Sequence, residues 1–347
     1  MSLVLDEIAE QPEVIDRLLR REAATVRRIA ADVERTGPPL VVTAARGTSD
    51  NAARYAEFLF GWRLRLPVAL ATPSLHTLYG TPPRYDGAMV IGISQSGASP
   101  DVVSVVEEAA RQGCLTVAIT NEPDSPMGRA AAHVVDLGAR PERAVAATKT
   151  YTASLAAVAA LVTEIAGDAD RRGELARTPD LLADQLGRDD SVASVAAAVT
   201  AAAGWMRGAV IGRGANYGTA FEVALKIKEL TSVAAEPYSP ADFLHGPVAQ
   251  AGPAYPVLAL APSGPTRNNV AEALDEVRRR GARPMIVSDD PTLAHDDEVT
   301  LPLVTVPEWL SPMVAVIPGQ LLAVGMAEHR GLDVDAPFGL SKVTRTR

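Results

Sequence analysis

Between residues 93 and 101 the chain reads ISQSGASPD, which gathers Ser94, Gln95, Ser96 and Ser99 around Gly97. An apolar run precedes this stretch and a helix-periodic one follows. It is therefore predicted to be a loop that leaves a strand near Ser94 and opens a helix, with Ser99 at the N-cap and Pro100 at the first helical position. Such a loop aims free backbone N–H groups and the positive end of a helix dipole at one point, and its side chains add neutral donors. Several short donors without a bulky apolar neighbour suit a phosphate group. The competing reading is that Ser99 only caps the helix and the other serines only turn the chain. Four polar donors together at the carboxyl end of a strand favour the anion. RGTSDN (46–51) holds the equivalent place after an earlier apolar run, where open α/β sheets bind ligands. There Thr48 and Ser49 either complete the same anion site or cap the following helix.

Ionisable groups gather elsewhere. In AFEVALKIKEL, Glu222, Lys226 and Glu229 are spaced by four and three residues and share one helix face, whereas Lys228 points away from it. A solvated, ion-paired face is the commoner use of such spacing, and the local sequence leaves both readings open. EPYSPADFLHGP (236–247) is a Pro-rich connection that carries His245, and a loop histidine is most often a surface residue. GRGANYG (212–218) resembles a dinucleotide fingerprint, but its third glycine falls one place late, which argues against a nicotinamide cofactor. No metal-ligand cluster is found, and His295-Asp296-Asp297 reads as an exposed acidic loop. The single cysteine, Cys114, begins the apolar run CLTVAIT and is expected in the core, where it forms no disulfide.

The elements that must position these groups follow from the apolar pattern. PLVVTAA (39–45), LPVALAT (66–72), AMVIGIS (88–94), CLTVAIT (114–120) and HVVDLG (133–138) are continuous apolar runs, as expected of parallel strands buried on both faces. Segments with 3.6-residue spacing, such as 50–62 and 101–112, lie between them. The class is α/β, with a doubly wound, flavodoxin-like parallel sheet flanked by helices. The pattern then repeats. Arg46-Gly47 recurs as Arg213-Gly214 and Ser96-Gly97 as Ser263-Gly264, each 167 residues later. Two landmarks with one offset imply two tandem copies of one fold. The expected boundaries are an N-terminal helical segment (1–38), a first, phosphate-binding domain (39–190) and a second domain with a C-terminal active-site tail (191–347). An Ala-rich helical stretch from about 150 to 204, broken near RTPD (177–180), links the copies.

Composition narrows the partners. With 347 residues, 47% of them hydrophobic and 22% charged, the chain is long enough for two ordinary domains, and its net charge of -9 argues against nucleic acid. The acidic N-terminus shows no signal-peptide pattern, and the apolar stretches 191–206 and 309–328 are interrupted by polar residues or proline, so a cytoplasmic protein without a membrane partner is expected.

ISQSGASPD, VAATKT (145–150), FEVALKIKEL, FLHGP and GLSKVT, in that order, resemble the double sugar-isomerase (SIS) family over about 39–347, notably the isomerase half of glucosamine-6-phosphate synthase and its stand-alone relatives. The resemblance implies that Thr48, Ser94, Gln95, Ser96 and Ser99 hold a sugar phosphate and that Ser49 and Val145 line the sugar. It further implies that Glu229 moves a proton between C1 and C2, that His245 from a neighbouring subunit assists ring opening, and that Lys342 serves from the C-terminal tail. Glu222 and Lys226 match supporting charged positions. A homodimer with active sites at the subunit interface, and no cofactor or metal, follows from the same likeness. Residue 2 is Ser and not the nucleophilic Cys of a glutaminase domain, and the ARGTSDN, SPD and FLHGP variants look like those of the hydrolytic relatives. The expected reaction is therefore conversion of glucosamine-6-phosphate and water to fructose-6-phosphate and ammonia without glutamine. The alternatives are an isomerase or deaminase of another sugar phosphate and a non-catalytic phosphosugar-binding regulator.

Overall fold

The computed structural model describes residues 2–342, so Val343 and Thr344 of the GLSKVT motif lie outside the described residues. Two helices open the chain, α1 (Leu3–Ala9) and α2 (Gln11–Thr36). Val14, Ile15, Leu18, Val26, Ile29 and Val33 recur along α2 at helical spacing and form its buried stripe. Gly37 ends the helix in the left-handed region, returning its N–H to the Val33 carbonyl.

The first sheet follows as β1 (Val41–Ala44), α3 (Thr48–Leu59), β2 (Val68–Leu70), α4 (Ser74–Thr77), β3 (Met89–Ile93), α5 (Pro100–Arg111), β4 (Leu115–Thr120), α6 (Pro126–Ala130) and β5 (His133–Asp136). Its strands are all parallel, in the order β2-β1-β3-β4-β5, with Val41 in register with both Val68 and Met89. Every residue of β1 and β3 is buried, which is why their sequences show no polar alternation. Cys114, just before β4, is buried in this core, and desolvation pushes its thiol pKa up. The expectation of burial on both faces fails at β2, where Ala69 and Leu70 are exposed, and holds only in part at β5. Both are edge strands with a neighbour on one side only.

The Ala-rich stretch forms α7 (Lys149–Ile165), α8 (Ala169–Ala176), α9 (Thr178–Leu186) and α10 (Asp189–Ala202), and the break at RTPD falls at Arg177. The second sheet comprises β6 (Arg207–Ile211), α11 (Tyr217–Thr231), β7 (Ala234–Tyr238), α12 (Pro240–Leu244), β8 (Val257–Leu260), α13 (Arg267–Arg279), β9 (Met285–Ser288) and β10 (Val299–Pro302), and α14 (Ser311–His329) follows it. It too is all parallel, in the order β7-β6-β8-β9-β10. Numbered within its own copy, each sheet runs 2-1-3-4-5, the flavodoxin-like order. The order of progression across the sheet thus reverses between β1 and β3, and again between β6 and β8. At such a point, loops leave for opposite faces and open a crevice at the strands' carboxyl ends.

Among the described residues, α14 alone is long and apolar enough to cross a membrane; 83% of its apolar window is buried, and Gly319 lets it lie directly against Val223 of α11, the packing of a core helix. The chain divides into two compact units. One takes Glu10–Glu142, Lys149–Pro179 and Ser341–Lys342, and holds the first sheet; the other takes Ser2–Ala9, Arg143–Thr148 and Asp180–Leu340, and holds the second sheet.

Candidate active site

In the first unit, the loop after β3 is fixed from several sides. The Ser94 amide donates to the Ile119 carbonyl, and the Gln95 carbonyl accepts from the Asn121 amide at 3.1 Å and the Thr120 hydroxyl at 3.2 Å. Gly97 has φ 58, and a Cβ there would run into Ser125 Oγ, so the turn requires glycine. Ser94 is buried and its Oγ accepts the Gly97 N–H at 3.1 Å, which leaves the hydroxyl proton to donate. Ser96 Oγ accepts from Ala98 at 3.4 Å. Ser99 stands at the N-cap of α5 with Pro100 next, but its hydroxyl makes no capping bond. Capping therefore does not account for Ser99. Gln95, Ser96 and Ser99 are half-buried on the rim of the loop.

The loop after β1 faces the same reversal point. Gly47 is the N-cap of α3, and the half-buried Thr48 and Ser49 are its first two residues, so neither caps it. Arg46 Nε donates to Asp101 Oδ2 at 2.7 Å and ties this loop to the start of α5. Both residues lie inside quoted motifs, but nothing in their sequence spacing announces that they meet. Lys342 also belongs to this unit. Its Nζ donates to Glu142 Oε2 at 2.7 Å, and the fully buried Glu142 carboxylate also accepts from the Thr150 amide at 3.0 Å and hydroxyl at 2.8 Å. Glu142 stands three residues before Val145, and no local sequence pattern marks it as Lys342's partner.

The second unit holds Val145, whose amide donates to the Asp335 carbonyl at 3.0 Å, together with Glu222, Lys226, Glu229 and His245. On α11, Lys226 Nζ lies 3.4 Å from Glu222 Oε1 and 2.5 Å from Glu229 Oε2. The side chains of Lys226 and Glu222 are 1% and 0% exposed, while that of Glu229 is 25% exposed. This overturns the solvated-face reading: α11 buries a lysine between two carboxylates, and only Glu229 reaches the surface. Lys228 is exposed, as expected. His245 is exposed at the C-cap of α12, whose N-cap Ser239 accepts the Asp242 N–H at 3.1 Å. The His295-Asp296-Asp297 loop is exposed as well.

In the second copy, the counterpart of the serine loop bonds the chain's own Glu308. Thr266, at the N-cap of α13, donates from its hydroxyl to Glu308 Oε1 at 2.8 Å and from its amide to Oε2 at 3.3 Å. A Cβ on Gly264 would collide with that carboxylate. The chain's own Glu308 thus bonds the loop that corresponds to the serine loop of the first copy.

The SIS domain model matches residues 39–164 and 204–330, one match for each sheet. The chain belongs to the SIS-domain family. This double-SIS chain is 33% identical over 352 residues to a glutamine–fructose-6-phosphate aminotransferase (isomerizing) of Zymomonas mobilis, a match covering 97% of the chain and 57% of the relative. It thus spans little more than half the length of the curated relatives it matches. Among solved structures it is similar to the C-terminal domain of glucosamine-fructose-6-phosphate aminotransferase from Francisella tularensis, at 25% identity and a TM-score of 0.88, covering 97% of this chain and 98% of that one. It is also similar to a candidate phosphosugar isomerase from Silicibacter pomeroyi, at 32% identity and a TM-score of 0.83, covering 96% and 99%.

Proposed function

We propose that this SIS protein is a phosphosugar isomerase-type enzyme that converts glucosamine-6-phosphate and water into fructose-6-phosphate and ammonia. The observation that carries the reading is the arrangement on α11, where buried Lys226 fixes Glu229 and leaves its carboxylate partly open to a ligand. The neutral donors after β1 and β3, from Thr48, Ser94, Gln95, Ser96 and Ser99, hold the phosphate, and Ser49 and Val145 line the sugar. Once the ring is open, Glu229 takes the proton from C2 of the amino aldose and returns it to C1, while the aldehyde oxygen gains a proton and the amine loses one, which leaves a hydroxyl at C1 and an imine at C2. Water adds to that imine and ammonia departs, giving the ketose. Lys342, held by Glu142, stabilises charge on the open chain. The exposed His245 exchanges the ring-oxygen proton in the site of a second copy. The names of the aminotransferase and isomerase relatives support the substrate class, and a partly exposed carboxylate held by a buried lysine favours an enzyme over a sensor.

The test is incubation with glucosamine-6-phosphate in the absence of glutamine, measuring ammonia and fructose-6-phosphate together. Equal release of both is expected, and Glu229→Gln should slow it at least roughly a hundredfold. No ammonia above that variant would sink the deamination reading. Ketose formation from an aldose phosphate without ammonia would identify a plain isomerase instead.

A further inference from the structure

We propose that Arg46 is the charged member of the phosphate site, a guanidinium that Asp101 holds ready for the substrate's phosphate. The inference rests on the phosphate reading of the two loops. Arg46 leaves the carboxyl end of β1 and Asp101 lies in the first turn of α5, so their 2.7 Å bond crosses the β1/β3 reversal where the serine loop turns. The two partners differ sharply in exposure: the Asp101 side chain is 2% exposed and that of Arg46 is 47% exposed. Asp101 is further fixed by accepting the Val102 N–H at 2.9 Å. Its buried carboxylate engages only Nε of the guanidinium, and Nη1 and Nη2 have no hydrogen-bond partner among the described residues. A guanidinium is a rigid fork, so fixing one edge orients the remaining donors without further loss of side-chain freedom.

A purely structural role explains this poorly. Countering the buried Asp101 carboxylate occupies one guanidinium nitrogen, and that structural role gives Nη1 and Nη2 no task. The other side chains named in these loops, Thr48, Ser49, Ser94, Gln95, Ser96 and Ser99, are neutral, on a chain whose net charge is -9. Arg46 supplies the charge-assisted donors they lack.

Calorimetric titration of fructose-6-phosphate, with inorganic phosphate as competitor, tests the assignment. Arg46→Lys keeps a cation opposite Asp101 but loses the fork. Removing a hydrogen bond to a charged group commonly costs ten- to a hundredfold in affinity, and about tenfold weaker binding is expected for this variant. Arg46→Gln alone strands a buried carboxylate and can unfold the loop. The double variant Arg46→Gln/Asp101→Asn removes that problem, and it should melt near the parent while binding roughly thirtyfold more weakly. If the folded double variant binds within twofold of the parent while Ser96→Ala binds more weakly, Arg46 has no part in recognition and the proposal falls. If Ser96→Ala also binds like the parent, the phosphate reading falls with it.

Discussion

Lys226 carries its charge where almost no water reaches it, and its two carboxylate partners are what make that tolerable. Removing one member of a buried ion pair leaves the other uncompensated, at a cost of about 3–5 kcal/mol. Lys226→Met should therefore lower stability by about that amount in urea unfolding, because Glu222 has no exposure to fall back on. The double variant Glu222→Gln/Lys226→Met should recover most of it; a single Lys226→Met as stable as the parent contradicts this account. The sequence spacing showed that these three residues share a face but not that the face is buried, since i,i+4 pairs look alike on a wet helix and a dry one. Lys342 and Glu142 were less legible still. They are 200 residues apart, and local pattern carries no information about such a meeting.

At the scale of the strand-loop-helix element, the serine loop after β3 depends on its one left-handed residue. Gly97→Ala must hold a side chain at positive φ, which costs about 1–2 kcal/mol, and must also displace Ser125 Oγ. It should destabilise the protein by more than about 2 kcal/mol and, if the loop holds the phosphate as proposed, weaken fructose-6-phosphate binding as well. Parent-like values in denaturation and calorimetry would show that the loop tolerates another path. This element was largely readable in advance: a serine at an N-cap, a proline after it and a glycine in the turn are local devices with local causes. The inner strands were legible for a similar reason, because burial on both faces removes polar alternation. The edge strand β2 misled, since its apolar letters are the same and only its place in the sheet exposes them.

For the whole molecule, duplication gives two sheets of one topology with different equipment at their strand ends. If the first copy grips the phosphate and the second moves the proton, Ser96→Ala should chiefly raise KM and Glu229→Gln chiefly lower kcat; steady-state kinetics showing the reverse would overturn the division. If His245 serves a second copy, inactive Glu229→Gln and His245→Ala chains should complement each other, because a mixed dimer contains one site with both residues intact. Random mixing should restore about a quarter of the parent activity, and no recovery would place His245 in its own chain's site. The duplication could be read from the constant offset because the same Arg-Gly and Ser-Gly pairs follow corresponding strands of the two sheets. What fills each crevice could not, and Glu308 is the case in point. A carboxylate tethered to its own receptor competes at an effective concentration that a dissolved metabolite rarely reaches, on the order of millimolar or more. With Glu308 bonded to the second serine-glycine loop, each chain should take up one phosphosugar and not two, and a calorimetric stoichiometry of two per chain would contradict this.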